Sequence, residues 1–250
     1  MRTANPALTE RAFEGAGRYV DAESAMTVQG TVNKSGILLL CVVAGAAWTW
    51  QLFFQGAAPD PATVAPWMIG GLVGGFILAL VTIFKQQWAP ITAPLYSLLE
   101  GLAIGGMSAI AESQYSGIAI QAVGLTFGTL LALLVAYSSG LIKATENFKL
   151  GVVAATGGIA IVYVVSMVLS LFGVQVPFIF GNGLIGIGFS LVVVVIAALN
   201  LVLDFDFIET GARSGLPRYM EWYAAFGLMV TLIWLYIEIL RLLVKLRSRE

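Results

Sequence analysis

Among the carboxylates in or beside the apolar runs of this chain are Glu100, Asp204, Asp206, Glu209, Glu221 and Glu238. None of its 250 residues is histidine, so the usual proton-transfer group near neutral pH is missing. Ionisable chemistry inside the apolar part must fall to these acids. Carboxylate oxygens suit hard cations such as Ca²⁺, and rings of Asp and Glu line cation pathways. Two carboxylates sharing one low-dielectric site cannot both ionise cheaply, which lets acids respond to pH without histidine.

Each acid admits a plain reading beside the functional one. Glu100 lies near the middle of the apolar stretch YSLLEGLAIGGMSAI. A carboxylate there faces the bundle interior, a partner or water, either on an ion pathway or as a structural tie between helices. Glu238, in LIWLYIEILRLLV, has Arg241 three residues on and reads either as a local ion pair or as an inward-facing acid. Asp204, Asp206 and Glu209 end an apolar run as NLVLDFDFIE, either an acidic helix end or part of an acidic ring. Asp206 and Glu209 share a helix face and Asp204 points elsewhere. Glu221 opens the last run, where the helix dipole favours an acid and where it could join that ring.

Enzyme readings do poorly. Ser-His hydrolysis and zinc sites both call on histidine. The DFD pair lies in one segment, without the GxGD-type loop of intramembrane aspartyl proteases. No Gly-rich nucleotide loop with lysine is present. The chain reads as a non-enzyme without a cofactor. A formal charge of −1, without a clustered basic face, argues against nucleic acid as a partner. The lone Cys41 lies in an apolar run and reads as small apolar filler.

The elements that must hold the acids are seven apolar runs of about 19 to 23 residues, each long enough to cross a hydrocarbon core of about 30 Å. They run from Ser35 to Phe54, Pro66 to Phe84, Pro90 to Ala111, Ile118 to Tyr137, Leu150 to Phe172, Leu184 to Leu203 and Trp222 to Val244. The chain is 59% hydrophobic and 11% charged, where a soluble domain carries about 25% charged residues. Runs such as SLVVVVIAALNLVL lack the alternation of barrel strands, so the spans are helices. The fold class is all-α integral membrane: residues 1–30 form a polar tail, residues 31–250 a seven-helix membrane domain. The tail has no apolar core of a cleavable signal. Glycine pairs four apart, Gly70 with Gly74, Gly71 with Gly75 and Gly101 with Gly105, predict close helix packing. Pro177 and Asn182-Gly183 mark the turn before the sixth run.

Lys and Arg set the orientation. Arg2, Arg11, Arg18 and Lys34 precede the first run, Lys85 follows the second, Lys143 and Lys149 follow the fourth, and Arg213 and Arg218 follow the sixth. The alternate loops carry none, which predicts a cytoplasmic N-terminus. A seventh crossing then places Arg241, Lys245, Arg247 and Arg249 on the far side, against that rule.

Three segments carry a resemblance: LLEGLAIGGMSA in the third run, LNLVLDFDFIE closing the sixth and LYIEILRLL in the seventh. In that order they resemble the Bax inhibitor-1/YccA-like family (transmembrane Bax-inhibitor-motif proteins), and the long connection ETGARSGLPRYMEWY resembles its prokaryotic branch. The resemblance implies a seven-helix bundle with the last helix central. It also implies a pH-dependent Ca²⁺ leak, gated by two acids that share a proton on the last two helices. By motif those acids are Asp204 and Glu238, the second being Glu where the family has Asp. Glu100, Asp206, Glu209 and Glu221 are then ion-pathway candidates, with Glu221 the rival partner for Asp204 or Asp206. The setting implied is a cell membrane, a bacterial inner membrane in particular. Two other readings stay open. One is an interaction protein modulating a membrane protease or a stress response, with Phe13 and Tyr19 in a docking tail. The other is a proton-coupled transporter.

Overall fold

The computed structural model describes residues 25–56, 59–173 and 181–249. The tail positions Phe13 and Tyr19, and Pro177, lie outside the described residues. Seven α-helices among the described residues are long and apolar enough to cross a membrane. They are α1 (Val28–Phe54), α2 (Pro61–Phe84), α3 (Ala89–Gln114), α4 (Ile118–Ser138), α5 (Glu146–Leu171), α6 (Leu184–Arg213) and α7 (Met220–Arg247). Starts are set by local chemistry. Thr27, Asp60 and Thr145 each accept a backbone N–H of the following turn with their side chains, satisfying donors that the helix leaves open.

The helix that ends the chain is the most buried of the seven. It packs against α1, α3, α4 and α6 and touches α5 through Tyr163. The core is built around it: Met220, Tyr223, Phe226, Met229 and Leu235 of α7 are sequestered with Leu201 and Phe207 of α6 and Leu38 of α1. This central helix agrees with what the family resemblance implies.

Two of the glycine pairs act as expected. Gly101 and Gly105 of α3 lie under the backbone of α1, where a side chain would collide with the carbonyls of Val42 and Ala46. Gly71 and Gly75 of α2 meet α3 at Leu99 and Glu100. Gly70 faces open space. Small residues thus clamp α1, α2 and α3 into one slab.

The helices overrun several of the apolar runs. α6 is the clearest case: hydropathy stops at Leu203, while the helix continues to Arg213. Asp204, Phe207, Ile208 and Gly211 bury one face of that extra length, a helical spacing that the acidic residues interrupt. A short connection then returns the chain into α7. It is fastened to the segment before α1, because Met26 N–H donates to Leu216 O at 2.7 Å.

Candidate functional site

Glu221 sits in the first turn of α7 and is 2% exposed. It accepts from Thr27 N–H at 2.9 Å and from Thr27 Oγ1 at 3.0 Å, and it pairs with Lys34 of α1. Lys34 also lies 5.6 Å from the ring centre of Trp222. Asp206 of α6 pairs with Lys149 of α5 at 2.9 Å, and that lysine reaches Glu146 at 3.4 Å. Glu209 accepts from Tyr137 of α4 and from Arg213, each at 2.6 Å. Three acids at one end of the bundle are therefore each met by a cation, and by a hydroxyl in two cases.

Asp204 lies deeper on the same helix and is fully buried, at 0% exposure. Glu100 stands at mid-helix on α3 and is 9% exposed. Its Oε1 lies over α2, where a side chain at Gly75 would come within 2.6 Å of it. The carboxyl therefore faces protein and not lipid, as its cost in hydrocarbon requires.

Glu238 belongs to the other end. Arg241 Nη1 donates to both of its oxygens at 3.0 and 3.1 Å, and Tyr163 of α5 donates at 2.9 Å. Arg241 also donates to Tyr163 at 2.8 Å and lies 5.4 Å from its ring centre. One turn on, Lys245 Nζ bonds Gly186 O at 3.0 Å and Ser190 Oγ at 2.9 Å on α6. Asn182, Arg241 and Lys245 border a cavity of about 300 Å³.

The predicted proton-sharing pair of Asp204 and Glu238 is not brought together. Lys245 touching Gly186 and Ser190 fixes the antiparallel register of α6 and α7. Asp204 is about nine residues from the end of α6 at the turn, roughly 13 Å deep, whereas Glu238 is about eighteen residues from the start of α7, roughly 27 Å deep. Equal depth needs equal counts from the turn, and the two acids differ by about nine residues, roughly 13 Å along the helices. The reading of Glu238 as an ion pair with Arg241 matches the structure; Tyr163 is the addition. The rival grouping is nearer in depth, since Asp206, Glu209 and Glu221 all stand at the turn end of α6 and α7, but each has its own cation.

Sequence reading placed Lys34, Lys149 and Lys245 only as topology markers, and it passed over Tyr137 and Tyr163. The one signal available for Lys149 was its helical position, a turn inside the apolar run's neighbour Glu146. The others depend on which helix packs beside which. Among the described residues no group of three His, Cys, Asp or Glu side chains is gathered to hold a metal ion. The acids form a spaced series through the bundle rather than a cage.

A sequence model of the family described as Bax inhibitor 1 like matches residues 5–248. Comparisons with curated proteins and with solved structures yield no match.

Proposed function

The chain belongs to the Bax inhibitor 1 like family, and from that membership together with its buried acids we propose a pH-sensitive leak pathway for cations, with Ca²⁺ as the permeant ion. The observation that carries the reading is Asp204, a carboxyl at 0% exposure on the helix packed against the central α7. Holding charge at such a position carries a large desolvation cost. Ionisation therefore favours an arrangement in which water or a cation reaches the group. Glu100 at mid-depth and Asp206, Glu209 and Glu221 at the turn end supply further oxygen donors of the kind a hard cation prefers. Their role is passage and not bond chemistry. In the bundle the ion pairs of Asp206, Glu209 and Glu221 occupy oxygens that a passing ion would need.

Gating by a dyad gives way here to two separate sites. Asp204 is the proton-responsive group near one end, and Glu238 with Arg241 and Tyr163 forms a second constriction near the other. Purified protein in liposomes loaded with a Ca²⁺ dye tests this. Flux rises with pH in the parent protein, and Asp204→Asn removes most of that dependence. Glu238→Gln changes flux by its own factor, and the double variant shows the product of the two, as expected of sites without shared partners. A flux that ignores pH, or an Asp204→Asn protein with an unchanged profile, overturns the proposal.

The orientation proposed is N-terminus in the cytoplasm of a cell membrane, from the Lys and Arg asymmetry of the loops. Cysteine placed by Ala4→Cys in a Cys41→Ser background is expected to resist an impermeant thiol reagent until cells are opened. Labelling of intact cells reverses the orientation.

A further inference from the structure

One face of α5 carries a polar side chain at every seventh position. Lys149 pairs with Asp206 of α6 at 2.9 Å, Thr156 accepts from Asn200 of α6 at 2.9 Å, and Tyr163 donates to Glu238 of α7 at 2.9 Å. Seven residues are close to two helical turns, so the three form one stripe. It covers about 21 Å of a hydrocarbon core of about 30 Å. Both ends of the stripe open outward. At the turn end Lys149 also reaches Glu146, which is 71% exposed. At the other end Arg241 and Lys245 border the cavity of about 300 Å³.

Packing along this seam is thin. With α2, α5 is the least buried of the spans. Gly151, Gly157 and Gly158 meet nothing that a side chain would touch, so α5 lacks the small-residue clamp that joins α1 and α2 to α3. Polar ties take its place, and two of them are incomplete. Asn200 is 2% exposed, and its Nδ2 donates to Thr156 and to Ile196 O, but no donor among the described residues reaches its Oδ1. Arg241 bonds Tyr163 and Glu238 through Nη1 alone, which leaves Nε and Nη2 without a described acceptor. Polar residues that served only to glue helices would satisfy one another. An amide oxygen and a guanidinium edge left open at membrane depth carry a desolvation cost that water removes.

We propose that the seam between α5 and the α6–α7 pair is a hydrated track through the bundle, and that the permeant cation follows it. The second clause rests on the leak proposed above; water in the seam does not. A cation moving along the track takes the place of Lys149 on Asp206 and of Arg241 on Glu238, and Thr156, Asn200 and Tyr163 offer it oxygens between them.

Thiol accessibility in liposomes tests the track. A methanethiosulfonate bearing a quaternary ammonium attacks the thiolate, which forms where water reaches the sulfur and not in hydrocarbon. In a Cys41→Ser background, Thr156→Cys on the stripe is compared with Ile161→Cys on the outer face of α5, where the side chain is 65% exposed. Intact mass is expected to show Thr156→Cys modified about tenfold faster or more, and Ca²⁺ flux is expected to fall as the modification proceeds. Ser166→Cys, a near-isosteric change on the buried face of α5, repeats the test should Thr156→Cys fold poorly. Stripe cysteines as inert as Ile161→Cys overturn the track, whether or not Ca²⁺ leaks. Modification that leaves an active flux unchanged overturns the seam as the route of the ion. Fast modification in a protein that passes no Ca²⁺ at any pH supports the hydrated seam and overturns the leak instead.

Discussion

Glu221 and Asp206 at one end of the bundle and Glu238 at the other are neutralised in different ways. At the end where α6 turns into α7, Glu221 takes its cation from α1 and Asp206 takes its own from α5. At the other end the cation of Glu238 is Arg241, three residues on along the same helix. A cation from another helix ties elements together, while a cation from the acid's own helix neutralises it without that ion pair joining two helices. At the far end the fastening falls to hydroxyls and carbonyls: Tyr163 on Glu238, and Gly186 and Ser190 on Lys245.

That contrast can be broken most severely at Glu221. Glu221→Ala strips Lys34 and Thr27 of their acceptor and leaves a cation in a site that is largely closed. The expected loss is about 3 kcal/mol, the scale of breaking a buried pair from one side, read as a fall in the thermal midpoint of the detergent-solubilised protein. Adding Lys34→Met should restore much of the loss, because the uncompensated charge goes with it. If the double variant is worse than Glu221→Ala, the pair is not a latch.

Tyr163→Phe sharpens the comparison at the other end. It removes two inter-helix hydrogen bonds, one to Glu238 and one from Arg241, and leaves Arg241 on Glu238, so about 2 kcal/mol is expected. A loss as large as that of Glu221→Ala would erase the distinction between the ends. The smallest effect is expected at Glu209 and Arg213, where the side chains are 40% and 76% exposed. Arg213→Ala should cost less than about 0.5 kcal/mol, as exposed pairs do, and raising salt should leave that difference near zero.

The spans were legible because hydrocarbon demands long apolar helices, and seven such runs have no other use. Close packing of α2 and α3 was legible from glycines four apart, but that α1 lies on Gly101 and Gly105 was not. The extension of α6 was hidden because hydropathy weighs Asp204, Asp206 and Glu209 as a boundary. The spacing of Asp204 with Phe207, Ile208 and Gly211 marks one buried face and would have carried the helix onward. The acids themselves could be named from type and position. Their partners could not, since Lys34 and Glu221 lie 187 residues apart and only packing makes them neighbours. The shared proton between Asp204 and Glu238 came from family likeness, and the extra length of α6 beyond Asp204 narrows their difference in depth without closing it, because Glu238 lies about twice as far from the turn.

The strap that joins Met26 to Leu216, and Thr27 and Lys34 to Glu221, has a consequence for how the protein is made. A ribosome adds about 5 to 20 residues each second. The 187 residues between Lys34 and Glu221 therefore take roughly ten to forty seconds to synthesise. For that interval the first helix waits in the membrane with its ammonium group unanswered, and the bundle has no middle. Insertion of the last helix supplies the central column and the missing carboxylate in one event, so the fold closes late, from its C-terminal end, like a ring whose clasp is cast last.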